Sequence, residues 1–141
     1  MNYRMFLGVV LCAAFPGCFI GAGDGGGPGP GPVGVDSGSL VLDWSIDGTT
    51  DPDQCDQGAA SAIDISITAA NGSSAGEFQQ SCRAFATTID LPRGSYTADA
   101  VLVDSSGQAR TTSVQIRPFD ILGGDELFVP IDFSAGSFLA P

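Results

Sequence analysis

The chain has 141 residues and carries 16 acidic against 5 basic side chains, for a net charge of −11 at pH 7. That length allows one modest core rather than two, and so acidic a balance excludes nucleic acid and anionic lipid headgroups as partners, since both require clustered Lys or Arg. The basic residues are all arginine and histidine is absent, so Ser-His-Asp, Cys-His, Ser-Lys and His-ligated zinc chemistries are excluded as well.

The chain opens with a short n-region holding one positive charge, Met1-Asn2-Tyr3-Arg4, and continues into the apolar run from Met5 to Ala14. A run of about ten apolar residues reads as the h-region of a signal peptide. It is too short to cross a bilayer, which takes roughly 20 residues, and Pro16 with the glycines beyond it ends any helix. The stretch Ala14-Phe15-Pro16-Gly17-Cys18 resembles the lipobox of bacterial lipoproteins, with a small residue before an obligatory cysteine, although Phe15 and Pro16 depart from the usual pattern. The resemblance implies cleavage after residue 17, acylation of Cys18 with palmitate-type chains, and attachment to the membrane through that lipid. Because Phe19 rather than aspartate follows the cysteine, it also implies an outer-membrane location in the cell envelope.

Residues 18–38 are dominated by glycine and proline and hold too little apolar surface to offset their ordering entropy, so they are expected to be a flexible linker. Gly21, Gly23 and Gly26 match a dinucleotide-binding spacing formally. Such a fingerprint must open a helix, which Pro28, Pro30 and Pro32 forbid.

From residue 39 to 141 the hydrophobic period becomes two. Leu40, Leu42, Trp44 and Ile46 alternate with Val41, Asp43 and Ser45, Ile63, Ile65 and Ile67 with Asp64 and Ser66, and later Leu127, Val129, Ile131 and Phe133 with Phe128, Pro130 and Asp132. Such alternation marks strands buried on one face. Glu77–Arg83, Phe85–Leu91, Tyr96–Asp104 and Thr111–Arg117 are further strand candidates. Asn71-Gly72, Pro92-Arg93-Gly94 and Asp104-Ser105-Ser106-Gly107 read as turns in which glycine supplies positive φ. No segment sustains a 3.6-residue period. The expectation is a single all-β antiparallel, Ig-like sandwich of about seven strands, with Trp44, Tyr96, Phe85 and Phe133 as large core members.

Leu91-Pro92-Arg93-Gly94-Ser95-Tyr96-Thr97-Ala98 resembles the "LPxGxYxV" strand entry of transthyretin-like and carboxypeptidase-regulatory-like domains, and the resemblance runs on through Val101 to Gly107. It implies a turn at the glycine and a tyrosine in the core, and says nothing about function. Cysteine parity agrees with the lipobox. Cys12 leaves with the leader and Cys18 carries lipid, so Cys55 and Cys82 remain to pair in an oxidising compartment as one structural disulfide.

The remaining candidate chemistry is acidic. Asp47, Asp51, Asp53 and Asp56 lie in one segment and could offer hard oxygen ligands to Ca²⁺, but the EF-hand glycine and bidentate acid are missing, which leaves a solvated turn as the plainer expectation. Asp43, Asp64, Asp99 and Asp132 fall on outward strand positions, either dispersed or covered by something cationic, and Val101, Val103, Phe119, Phe128 and Phe138 either form an apolar interface patch or are in part absorbed by the core. The chain is therefore read as a lipid-anchored outer-membrane accessory protein, a non-enzymatic binding or structural module without a cofactor, whose partner is an envelope protein or glycan. The alternative is a Ca²⁺-dependent carbohydrate-binding module or a secreted hydrolase that uses the aspartate-rich loops.

Overall fold

The computed structural model describes residues 36–140, so the leader, Cys18 and nearly all of the linker lie outside the described residues. Seven strands form two sheets. In chain order the elements are β1 (Ser37–Ile46), a short helix α1 (Pro52–Gln57), β2 (Ala62–Ala69), β3 (Ser74–Ser81), a 3-10 turn (Cys82–Ala84), β4 (Ala86–Pro92), β5 (Gly94–Val103), β6 (Val114–Ile121), β7 (Glu126–Phe133) and a last 3-10 turn (Ala135–Ser137). One sheet has the order β4-β1-β7 and the other β3-β2-β5-β6.

The core lies between the sheets and follows from the alternation. Leu40, Leu42, Trp44 and Ile46 of β1 are buried, as are Ile63, Ile65 and Ile67 of β2 and Tyr96, Ala98, Ala100 and Leu102 of β5. Along β2 and β5 the inward pairs are Ile63 with Leu102, Ile65 with Ala100 and Ile67 with Ala98, so at two of the three rungs a large side chain meets a small one, which leaves room for the facing sheet. Phe133 is fully buried, whereas Leu127, Val129 and Ile131 on the edge strand β7 are only half-buried.

Most of the pairing is antiparallel, but β1 and β7 run parallel, Ser39 opposite Glu126 through Ile46 opposite Phe133. The cause is the route of the chain. β7 is reached from β6 in the other sheet, across residues 122–125, rather than by a hairpin from β1. This crossing lies against Gly38, where an added Cβ would come within 2.3 Å of the Leu122 carbonyl oxygen and 2.8 Å of the Asp125 carbonyl oxygen. Gly38 is therefore a buried strand residue rather than the end of the linker, and β1 begins at Ser37, two positions before the expected domain start.

Phe85 is half-buried rather than a full core member, and β4 starts one residue after it. The reason is local. Phe85 closes the 3-10 turn in the left-handed region, at φ 55°, a conformation that costs an L-residue roughly 1–2 kcal/mol. At the turn into β5 the bend falls at Arg93, and Gly94 does not take the positive φ expected of it, while Gly72 and Gly107 do, at 84° and 82°. The Tyr96 hydroxyl donates to the Pro92 carbonyl at 2.7 Å, tying the turn to the ring beneath it. β6 begins at Val114, later than expected, because Thr111 is drawn into the interior, where its Oγ1 accepts the Leu102 N–H at 3.1 Å.

Candidate functional site

The aspartate-rich segment is not an open turn. Asp51 accepts the Asp53 N–H at 3.0 Å and caps α1, with Pro52 at its first position, the arrangement that favours helix initiation. Asp56 pairs with Arg83 at an exposed position, where such a bridge contributes little. Asp47 stands past the end of β1 at φ 50°, its N–H donating to the Phe133 carbonyl at 2.9 Å. Two of the four, Asp53 and Asp56, lie within α1 while Asp51 caps it and Asp47 precedes it, and among the described residues no three Cys, Asp or Glu side chains are gathered as a metal site.

Cys55 of α1 is bonded to Cys82 of the 3-10 turn, with Cα atoms 6.1 Å apart and both residues fully buried. The bond fastens α1 beneath Trp44, whose indole Nε1–H donates to the Cys82 carbonyl at 2.9 Å. Backbone bonds continue the attachment, from the Cys82 N–H to Ser61 at 3.0 Å and from the Ala60 N–H to Cys55 at 2.8 Å.

The outward aspartates are dispersed. Asp43 faces Ala86 and Pro130, Asp99 faces Ser66 and Gln115, and Asp64 faces Val101 and Gln79. Asp64 accepts the Gln79 Nε2–H at 2.7 Å, and Asp132 accepts the Ser45 hydroxyl at 2.6 Å and the Gly48 N–H at 2.8 Å. No two of them oppose each other, so like-charge repulsion across a rung is avoided. Asp104 serves its own turn. It accepts from the Ser106 hydroxyl and from the N–H groups of Gln108 and Ser106, bonds that hold its carboxyl below the usual carboxylate range, the Ser106 hydroxyl being the largest cause.

The apolar residues that could form a patch or enter the core are divided between the two. Val103 is buried, Phe119 stacks on Tyr96 with centroids 5.9 Å apart, Val101 is half-buried on the four-stranded sheet, and Phe128 stands exposed on the other. Phe138 lies against Gly58, where a Cβ would fall 2.1 Å from its ring. That contact forms one side of a cleft at the foot of α1, of about 370 Å³, lined by Ile46, Gln54, Gln57, Arg110, Phe138 and Leu139 among others. Sequence reasoning missed Gln54, Gln57, Arg110 and Leu139. The residues come from four separate places in the chain and leave no local pattern; the one usable signal was the Asp51-Pro52 helix start, which brings Gln54 and Gln57 onto an ordered element.

No protein-family model matches the sequence, and no curated protein matches it. Among solved structures the chain is similar to a leucine-rich repeat protein from Bacteroides thetaiotaomicron, with 16% identity, 71% of this chain and 14% of that one covered, and a TM-score of 0.43. It is also similar to a candidate adhesin from Bacteroides ovatus, with 11% identity, 68% and 46% covered, and a TM-score of 0.42. The chain thus spans less than half the length of either protein.

Proposed function

We propose that this chain is a lipid-anchored accessory protein of the outer membrane, attached through Cys18 and presenting its sandwich as a non-enzymatic binding or structural module for another envelope component. The observation that carries the proposal is the Cys55–Cys82 bridge. It occupies both cysteines that follow Cys18 and suits an oxidising compartment beyond the cytoplasm. Export followed by acylation of Cys18 then accounts for every cysteine in the chain. The buried Tyr96 supports a transthyretin-like reading of the sandwich. A binding or structural role also agrees with carboxylates that are spread over both sheets or spent on capping and turns.

The test is mass spectrometry of the mature N-terminal peptide together with fractionation of a Cys18→Ser variant. Acyl mass on a peptide beginning at Cys18, and unprocessed precursor or mislocalised protein in the variant, are the expected results. An unacylated peptide starting elsewhere sinks the anchor. Pull-down from solubilised outer membrane then addresses the module, and a stoichiometric envelope partner is the expected result.

A further inference from the structure

We infer that the cleft at the foot of α1 is a binding site for a small amphiphilic carboxylate, a ligand with an apolar body ending in one anionic group. Its volume, about 370 Å³, falls within the roughly 300–1,000 Å³ of small-ligand sites. Phe138 and Leu139 give it an apolar wall that is incompletely covered, Leu139 being 42% exposed and Phe138 half-buried. Three polar side chains line the same space, the amides of Gln54 and Gln57 and the guanidinium of Arg110.

Arg110 sets the ligand class. Among the described residues it is the charged one that lines the cleft, so an anion held there would be paired with a guanidinium. Its Nε–H donates to the Gly58 carbonyl at 3.2 Å, and its backbone is held on both sides, by Arg110 N–H to Leu102 at 2.7 Å and Leu139 N–H to Arg110 at 2.8 Å. A guanidinium fixed through Nε keeps its terminal N–H groups for a planar acceptor, and carboxylate matches that fork. Among the described residues Asp104 lies near enough to feel the Arg110 charge, and its carboxylate accepts from Ser106 and Gln108 rather than from the guanidinium. The opposite wall is α1, which the Cys55–Cys82 bond holds in place, so the bridge also maintains the site.

The inference is independent of the lipid anchor, and the experiment keeps the two apart by using the full exported chain with Cys18→Ser. Titration with octanoate, followed by heteronuclear NMR, is expected to give saturable shifts at the amides of Gly58, Arg110 and Phe138. Octanol and octylamine, matched in their apolar bodies, are expected to bind at least about tenfold more weakly, the loss that follows removal of a charge-assisted hydrogen bond. Arg110→Gln should weaken octanoate by a similar factor, and Gly58→Ala, which displaces the Phe138 ring, should abolish saturation. Equal binding of octanol or octylamine, shifts confined to other surfaces, or no saturable shift overturns the site. Should Arg110→Gln fail to fold, the comparison of the three probes on the unsubstituted cleft still decides.

Discussion

The indole of Trp44 donates its Nε1–H to the carbonyl of Cys82 at 2.9 Å, and its backbone N–H donates to Phe85 at 3.0 Å. One core residue on β1 thereby holds both ends of the turn that carries half of the disulfide. Trp44 is 1% exposed, so Trp44→Ala should destabilise the domain by about 3–5 kcal/mol, the range for emptying a large aromatic site. Trp44→Phe refills much of the volume but leaves the buried Cys82 carbonyl without its donor, which costs about 1–3 kcal/mol. Thermal melts of both variants check the order, with alanine the more damaging.

The Cys55–Cys82 bond closes a separation of 27 residues, which stabilises by about 3.5 kcal/mol in the chain-entropy model. Its replacement by two serines should release mainly residues 47–60, since α1 has a single buried residue, Cys55 itself, and little other apolar surface to keep it down. Hydrogen exchange should rise across that segment first, with the ladders of β2 and β5 still protected. Uniform exchange across all strands would show instead that the bond holds the whole sandwich.

Much of the architecture was legible because its cause is local. Leu40 to Ile46 announce a strand by alternation alone, and the cysteine pairing follows from parity. What escaped depends on distant partners. The parallel direction of β7 is fixed by a crossing between sheets that periodicity does not encode. Phe85 carries a core-like side chain, yet the three-residue turn before it imposes a left-handed backbone and leaves it half out. The cleft escaped for the same reason, since Gly58 and Phe138 meet only after the fold has formed. Helix α1 is different: Asp51-Pro52 was a readable start signal, masked by the attention that four nearby aspartates draw as potential ligands.

Asp104 gives the domain a specific acid sensitivity. Its carboxyl is held below the ordinary range by the Ser106 hydroxyl and the Gln108 and Ser106 amides. The unfolded chain therefore binds the proton more readily than the folded one. The stabilisation is complete above the ordinary carboxylate value, near pH 4, and is lost as pH falls through the lowered folded value. Asp104→Asn should lower the melting temperature slightly at neutral pH, because the amide oxygen still accepts from the turn. Its melting temperature should then fall less steeply than that of the unsubstituted chain below about pH 4. Parallel curves for the two proteins would show that the turn bonds leave stability unaffected.

Gly38 is the position where a residue of linker composition performs a structural task. It is buried within β1, paired with Leu91 of β4, and the crossing from β6 to β7 passes directly over it. The Gly124 N–H donates to Ser37 at 2.8 Å and the Ser39 N–H to Asp125 at 2.9 Å, so the crossing is fastened on both sides of the glycine. A methyl group there would meet two carbonyl oxygens at 2.3 and 2.8 Å, closer than any real contact, and the obstacle is backbone rather than a movable side-chain tip. Gly38→Ala should therefore cost about 1–3 kcal/mol through overpacking. This exceeds the gain of about 0.4–1 kcal/mol that replacing a glycine by alanine brings where the site is open. Gly136, whose added Cβ meets nothing within 4 Å and whose φ is not positive, supplies the control, and alanine there should be neutral or mildly stabilising. Equal melting temperatures for the two variants would mean that the crossing can lift away from β1, and the parallel pairing of β1 with β7 should then be weak enough to exchange early.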